Sequence, residues 1–516
     1  MAYRARLART FVCILLTAAA VLPQAATTRL PLPAERAIAE VTADQLRVHV
    51  QVLASDDLAG RGVGQPGNRR AETYVEEAMR RMGAFPAVGE SYLQPVSIYQ
   101  PVLGPGGGLT IDGSGERIVD LRKGEDFYPL PESGAGTATA RLVFAGHGIS
   151  APPQRHDDYA RTDVRGAIVL LLDGAPGRLA DDENLASVAR KARDAFAHGA
   201  IGVIVIRHHL GDVQAMWPEG PAATWIPHRL FSDEQKSGMP VVAVSERAAA
   251  SIRRALHSSA ELTATLTAGV DARPITINNV LGLVEGRDPS RSEMVIVGAH
   301  LDHDGVDTNG RIFNGADDNA SGTAAVIATA GAFTRAAAQG ERPQRAVLFA
   351  LWNAEEKGSL GAEAYLNTPQ PPRRIVAKIN LDMVGRAEHV PDPNDPRFRG
   401  FTRTSPSKSA NVLHVLGYSY SPDLAGIIAA ANDEIGLKIH QEYDEGAQDL
   451  LRRSDNWPFL RRGIPAVFLT TGLHPDYHTP DDDVERIDFG KLLRITRLAA
   501  RAAWLAADGP APRMIK

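Results

Sequence analysis

MVIVGAHLDHDG, residues 294–305, begins as a nearly unbroken apolar run and closes on His300 and Asp302. Three more runs of this kind occur downstream, at 346–352, 378–381 and 465–469. Each is short and almost continuously apolar, as a strand covered by helices on both faces should be. Five candidate metal ligands, His300, Asp318, Glu356, Asp382 and His478, sit at or just beyond the downstream end of such a run, or in the loop behind it. Open α/β sheets form their sites at the carboxyl edge. The pattern predicts an enzyme on an α/β fold, a mainly parallel mixed sheet flanked by helices.

Working outward, strands from residue 275 on alternate with helical stretches at 321–338 and 422–435, a βα rhythm that predicts a mainly parallel sheet. Upstream, 43–55 and 68–82 read as amphipathic helices. A Pro/Gly-dense stretch at 101–115 precedes a change of character. Segments 140–144, 167–172, 201–206 and 241–244 read as strands and 184–198 as a helix, a β-rich mixture with few catalytic groups. The expected division is a signal peptide at 1–26, a first catalytic part at 27–130, an inserted unit at 131–268 and the main catalytic part at 269–516.

The chain has 516 residues, more than one core usually supports. Its 61 acidic and 56 basic residues nearly balance, which argues against nucleic acid or an anionic membrane as the main partner. Arg4, Arg6 and Arg9, an apolar run over 11–22 and small residues at Ala25 and Ala26 have the layout of a secretory signal. That run is shorter than the roughly 20 apolar residues a membrane span needs. The expectation is a secreted or periplasmic protein with no stable membrane span once the signal is removed. Cys13, the only cysteine, lies in that segment, so the exported chain has no thiol and must hold metal with His and carboxylate ligands.

His300 and Asp302 stand two apart at a strand end, where alternate side chains point the same way, so the carboxylate can sit behind the imidazole. Asp317 and Asp318 lie in NGADDNASG, where Gly315 permits an unusual turn and Asn319 or Ser321 can cap the following helix. Spacing alone leaves open which aspartate faces the metal. Glu355 and Glu356 are neighbours that point to opposite sides of extended backbone. One can ligate while the other stays free to move a proton, which is the division hydrolysis requires. Asp382, in NLDMVG, adds a carboxylate, and His478, in DYHTPDD, a second imidazole. Three ligand carboxylates suit two divalent ions better than one. Mixed N/O ligation points to zinc first, with manganese or cobalt also compatible.

GAHLDHDG, NGADDNASGTAAV, NAEEKGSLGA, INLDMVGR and YHTPDD together resemble, in order and spacing, the co-catalytic di-zinc exopeptidase family, which includes secreted bacterial aminopeptidases and glutamate carboxypeptidases. The resemblance covers roughly 40–130 and 270–505, and the segment between is similar to a protease-associated domain. It implies two zinc ions per chain, His300 and Asp382 on one, Glu356 and His478 on the other, and Asp318 rather than Asp317 as the bridge. Asp302 then orients His300, Glu355 is the general base, and Tyr477 matches a tyrosine that helps polarise the scissile carbonyl. Asn456 stands where many relatives have His, which leaves one wall of the specificity pocket undefined. The activity implied first is removal of N-terminal residues from peptides. A glutamate-carboxypeptidase-like hydrolase comes second, with Arg452 and Arg453 as conceivable carboxylate clamps but more simply a solvated pair. A glutaminyl cyclase and a receptor-like binding protein share the fold.

Overall fold

The computed structural model describes residues 29–516 apart from 131, 180–182, 208–209, 212, 214–228, 231–238, 259–260, 289, 308 and 447. The signal-like segment 1–26, with Cys13, lies outside the described residues.

The main sheet is built from β1 (Leu93–Leu103), β2 (Val270–Val284), β3 (Glu293–His300), β4 (Ala346–Trp352), β5 (Arg374–Leu381), β6 (Val412–Leu416), β7 (Lys438–His440) and β8 (Ala466–Thr470). Their hydrogen-bonded order is β1-β2-β4-β3-β5-β8-β6-β7, with Arg229–Leu230 outside β1 and Phe85–Pro86 on β2. The sheet is mixed, with a parallel heart. β4, β3, β5 and β8 run parallel to one another, whereas β1, β2 and β6 pair antiparallel at the flanks.

The continuous apolar runs follow from two-sided burial. Val295, Val297 and Ala299 of β3 belong to one core and Met294 and Ile296 to another, and Val347, Phe349 and Leu351 alternate in the same way with Leu348 and Ala350. Successive side chains on a strand point to opposite faces, so each of these strands needs apolar residues at every position. The first core is closed by α1 (Leu32–Ala39), α2 (Ala43–Leu53), α3 (Pro66–Met82), α4 (Gly322–Ala338), α5 (Pro422–Asn432) and α6 (Phe489–Asp508). α4 is rich in alanine and buried nearly all round, which brings it close to the sheet. A Cβ on Gly322 would stand 2.5 Å from the Leu381 carbonyl oxygen, so only glycine fits this approach to β5.

A second, eight-stranded sheet forms the insert. Its boundary differs from the expected 131–268. Gly108–Gly113 pairs with Leu262–Thr267, and Phe127–Pro129 pairs with Val241–Ser245, so 108–129 belongs to the insert and not to the catalytic part. The chain leaves the main sheet at Leu103, touches it again at Arg229–Leu230 beside β1, and rejoins the long β1–β2 ladder at Val270, the antiparallel partner of Leu103. The Pro/Gly-dense stretch at 101–115 masks the short strand Gly108–Gly113 within it, whose alternation rests on Leu109 and Ile111 alone. The helix expected over 184–198 is two pieces, Glu183–Ala186 and Val188–Ala197, with Ser187 capping the second by accepting from the Arg190 amide. No described helix is long and apolar enough to cross a membrane.

Candidate metal centre

The parallel heart delivers the candidate ligands to one edge. His300 is the last residue of β3, in register with Trp352 at the end of β4. Asp382 follows β5 by one residue, Glu355 and Glu356 follow β4, and His478 lies in the loop after β8. Asp318 comes from the turn that enters α4, where Gly315 has φ 57° and a Cβ would stand 2.1 Å from the Asp318 carbonyl oxygen. Three non-glycine residues at these corners, Ala354, Met383 and His478, have φ of 56°, 55° and 52°. Such left-handed backbone costs of order 1–3 kcal/mol and persists where the surroundings over-determine it, typically at functional sites.

All five candidate ligands meet, with Asp318 at the centre. Its Oδ1 lies 3.2 Å from His300 Nε2 and its Oδ2 lies 3.1 Å from His478 Nε2. Asp382 Oδ1 is 3.3 Å from His300 Nε2, and Glu356 Oε2 is 3.4 Å from His478 Nε2. Donor atoms of His300, Asp318 and Glu356 fall within 4.8 Å of one another, as do those of Asp304, Glu356 and His478. Two ligands on a tetrahedral ion with bonds of 2.0–2.1 Å stand about 3.3 Å apart, so these separations and this N/O donor set fit a pair of divalent cations. Asp317 turns away, taking the Gly385 amide at 2.6 Å and facing His474 at 3.3 Å.

The electrostatics describe a cluster that competes for positive charge. Burial opposes charge on Asp318, but contacts with His300 and His478 hold its carboxyl well below the ordinary range. Burial likewise opposes charge on His300, and Asp382, Asp318 and Glu355 outweigh it and raise the imidazole well above its usual value. Glu355 is pushed well upward, by burial first and then by Asp455, Glu356 and Asp382. Glu355 also takes a long hydrogen bond from the Ser359 hydroxyl, at 3.4 Å, and makes no ion pair with either imidazole among the described contacts. Burial raises the Tyr477 phenol well above its ordinary value, and its ring lies 4.0 Å from that of His478.

Asp302 is placed differently from expectation. His300 Nδ1 meets the Asp302 backbone carbonyl at 3.1 Å, not its carboxylate. The carboxylate instead accepts from the Glu355 and Glu356 amides at 3.0 and 3.3 Å, because the β4 loop folds over it. An imidazole is backed by a carboxylate at the other ligand, where Asp304 Oδ2 lies 3.2 Å from His478 Nδ1. Sequence reasoning missed Asp304, and also His303, whose Nδ1 is 2.8 Å from Glu356 Oε1. The density of titratable residues in LDHDG was the available signal. It also missed Ser454, which donates to Asp382 Oδ2 at 2.6 Å, and Asp482, which accepts from the Asp317 and Asp318 amides at 3.0 Å.

A small cavity of about 30 Å³ opens onto the cluster, walled by Met383, Leu450, Phe468, Leu473, Arg453 and Tyr477. Arg453 therefore borders the site. Arg452 does not, since it pairs with Asp449 and lies over the Trp457 ring at 5.0 Å. Asn456 is buried and donates to the Leu451 carbonyl at 2.9 Å.

The chain is similar to known proteins in both of its parts. Residues 279–503 match the model for peptidase family M28, and residues 138–252 match that for the PA domain. The chain is 25% identical over 342 residues to an aminopeptidase of Pseudomonas aeruginosa, covering 64% of this chain and 55% of that one. It is 28% identical over 366 residues to a probable lipoprotein aminopeptidase, LpqL, of Mycobacterium tuberculosis, covering 69% and 62%. The chain thus spans little more than half the length of these relatives. Its fold is that of an aminopeptidase structure from Aneurinibacillus sp. strain AM-1, at 21% identity and a TM-score of 0.54, covering 94% of this chain and 97% of that one.

Proposed function

From the match of residues 279–503 to peptidase family M28 and of residues 138–252 to the PA domain, we propose that the protein is an exported metallo-aminopeptidase that removes N-terminal residues from peptides. The observation that carries this reading is Asp318, whose two carboxylate oxygens each face a different imidazole at 3.1–3.2 Å. His300 and Asp382 would hold one zinc ion and Glu356 and His478 a second, with Asp318 available to both. Bound zinc supplies Lewis acidity, which polarises a carbonyl and acidifies water. Glu355, raised by its burial, takes the proton from the attacking water and returns it to the departing amine. Tyr477 directs its hydroxyl toward the carbonyl being cleaved. Asp302 fixes the Glu355 and Glu356 backbone from below.

The apolar wall of Met383, Leu450, Phe468 and Leu473 suits an uncharged side chain on the residue removed. The arginines and short apolar run at the N-terminus, together with the likeness to a probable lipoprotein aminopeptidase, support export.

The test is a panel of peptides with blocked N-termini or amidated C-termini, assayed with zinc, alongside metal analysis of the purified chain. Cleavage should require a free N-terminal amine, ignore C-terminal amidation and accompany two zinc ions per chain. Turnover of N-blocked peptides that depends on a free C-terminal carboxylate would overturn the reading in favour of a carboxypeptidase.

A further inference from the structure

Beside the metal centre lies a larger groove of about 480 Å³, within the range of small-ligand pockets and separate from the small cavity over the ligands. One wall is the turn entering α3, with Gln65 and Arg69. The other is the catalytic end of the β1–β2 ladder that carries the insert, with Gln100 and Arg273. Its inner end is Asp304 and Lys357. Lys357 follows the candidate ligand Glu356 directly in sequence, and Asp304 is the carboxylate behind His478.

The groove is tied firmly to the centre. Arg61, wholly buried just before the α3 turn, donates to the carbonyls of Leu301, Asn314 and Gly315 at 2.7–2.9 Å. Those carbonyls flank His300 on one side and Asp318 on the other. Gly62, also in the groove wall, bridges to His303.

The charge lining the groove is positive where it faces solvent. Arg69 and Arg273 are exposed, Arg69 donating to the Thr276 carbonyl at 3.2 Å and lying 4.0 Å from Glu72, and Lys357 is half-buried at the inner end. The two acidic side chains of the lining are already engaged. Glu72 accepts from the Asn278 amide and side chain and from Asn353, all at 2.8–2.9 Å, and Asp304 faces His478. Arginine and lysine arranged this way favour carboxylates.

We propose that this groove receives the part of a peptide substrate downstream of the cleaved bond, and that Arg69, Arg273 and Lys357 select acidic residues there. The proposal rests on the aminopeptidase reading and adds a second specificity element to it. The small cavity reads the residue removed, and the groove reads the residues C-terminal to it.

The experiment compares zinc-loaded wild type with the Arg69→Glu/Arg273→Glu double variant on two kinds of substrate. One is leucine p-nitroanilide, which has nothing downstream. The other is a pair of leucine-initiated tetrapeptides carrying Asp or Lys at positions three and four. Wild type should prefer the Asp peptide by about tenfold in kcat/KM, with the preference shrinking in high salt. The double variant should lose or reverse that preference while hydrolysing the anilide as wild type does. Equal handling of the two peptides by wild type, or an unchanged preference in the variant, overturns the groove assignment and leaves the aminopeptidase reading standing. A wild type inert toward all three substrates defeats both.

Discussion

The two sheets treat polar side chains in opposite ways. Between residues 104 and 269, Ser133 and Lys191 are the buried polar side chains among the described residues, and the rest of the interior is aliphatic apart from Phe127 and Tyr159. The catalytic unit buries His300, Asp302, His303, Asp304, Asp317, Asp318, Asp382, Asp455 and Asp482 near one sheet edge. Burying unpaired charge is costly, and the cost is tolerated where opposite charges and hydrogen bonds compensate. The insert is built for packing, whereas the edge of the main sheet gives up packing to gather titratable side chains.

The strongest way to break this contrast is Asp318→Ala. Removing the carboxylate shared by both imidazoles should abolish peptide hydrolysis and release bound zinc, measured by metal analysis beside an activity assay. Retained metal with retained turnover would mean that the buried charge is structural.

Glu355→Gln should cost about 10²–10⁴-fold in kcat while both metals stay bound, since general-base catalysis contributes that much. Unchanged turnover removes Glu355 from proton transfer.

Excising residues 104–269 and closing Leu103 to Val270 with a two-residue turn tests whether the insert is a separable body, because these positions are already antiparallel partners. Leucine p-nitroanilide turnover should stay within several-fold of the intact enzyme, and KM for longer peptides should rise. Loss of the folded catalytic sheet would show that the insert supports it.

The smallest effect sharpens the contrast through pH. Burial, helped by Arg81, lowers His49 on α2 from its usual 6.5 to about 4. The unfolded chain therefore binds this proton first, and stability is full above pH 6.5 and falls as the pH drops toward 4. The expected loss is about 2 kcal/mol between pH 7 and pH 5, read by urea midpoints and reduced in His49→Gln. The insert responds in another window. Burial lowers Lys191 to about 8, so its contribution grows as pH rises from there toward 10.5.

Sequence legibility follows the same divide. β4 was readable at its observed bounds, and β3 and β5 to within a few residues, because two-sided burial makes their apolar runs continuous. The structure brings the five candidate ligands together; His300, Glu356, Asp382 and His478 stand at or behind such a run, whereas Asp318 lies in the turn entering α4 and was suggested by the NGADDNASG motif. Residues that act through backbone amides were not. Asp302 reaches Glu355 across 53 positions and Asp482 reaches Asp318 across 164, and neither link leaves a periodic trace. The insert boundary was harder to place, since Gly108–Gly113 is a short strand with only Leu109 and Ile111 as large apolar residues, and Glu116–Leu121 is mostly exposed and charged.

The two carboxylate oxygens of Asp318 belong to one rigid plane whose backbone is held by Asp482. In the proposed two-ion centre, a cation held against one oxygen would set the tilt and electron density offered by the other. Occupancy on the two sides would thereby be thermodynamically linked, and the factor by which the first ion alters affinity for the second would equal the factor in the reverse order. Loading curves for this centre should consequently be non-independent, with half-filled molecules either scarce or over-abundant relative to a statistical distribution.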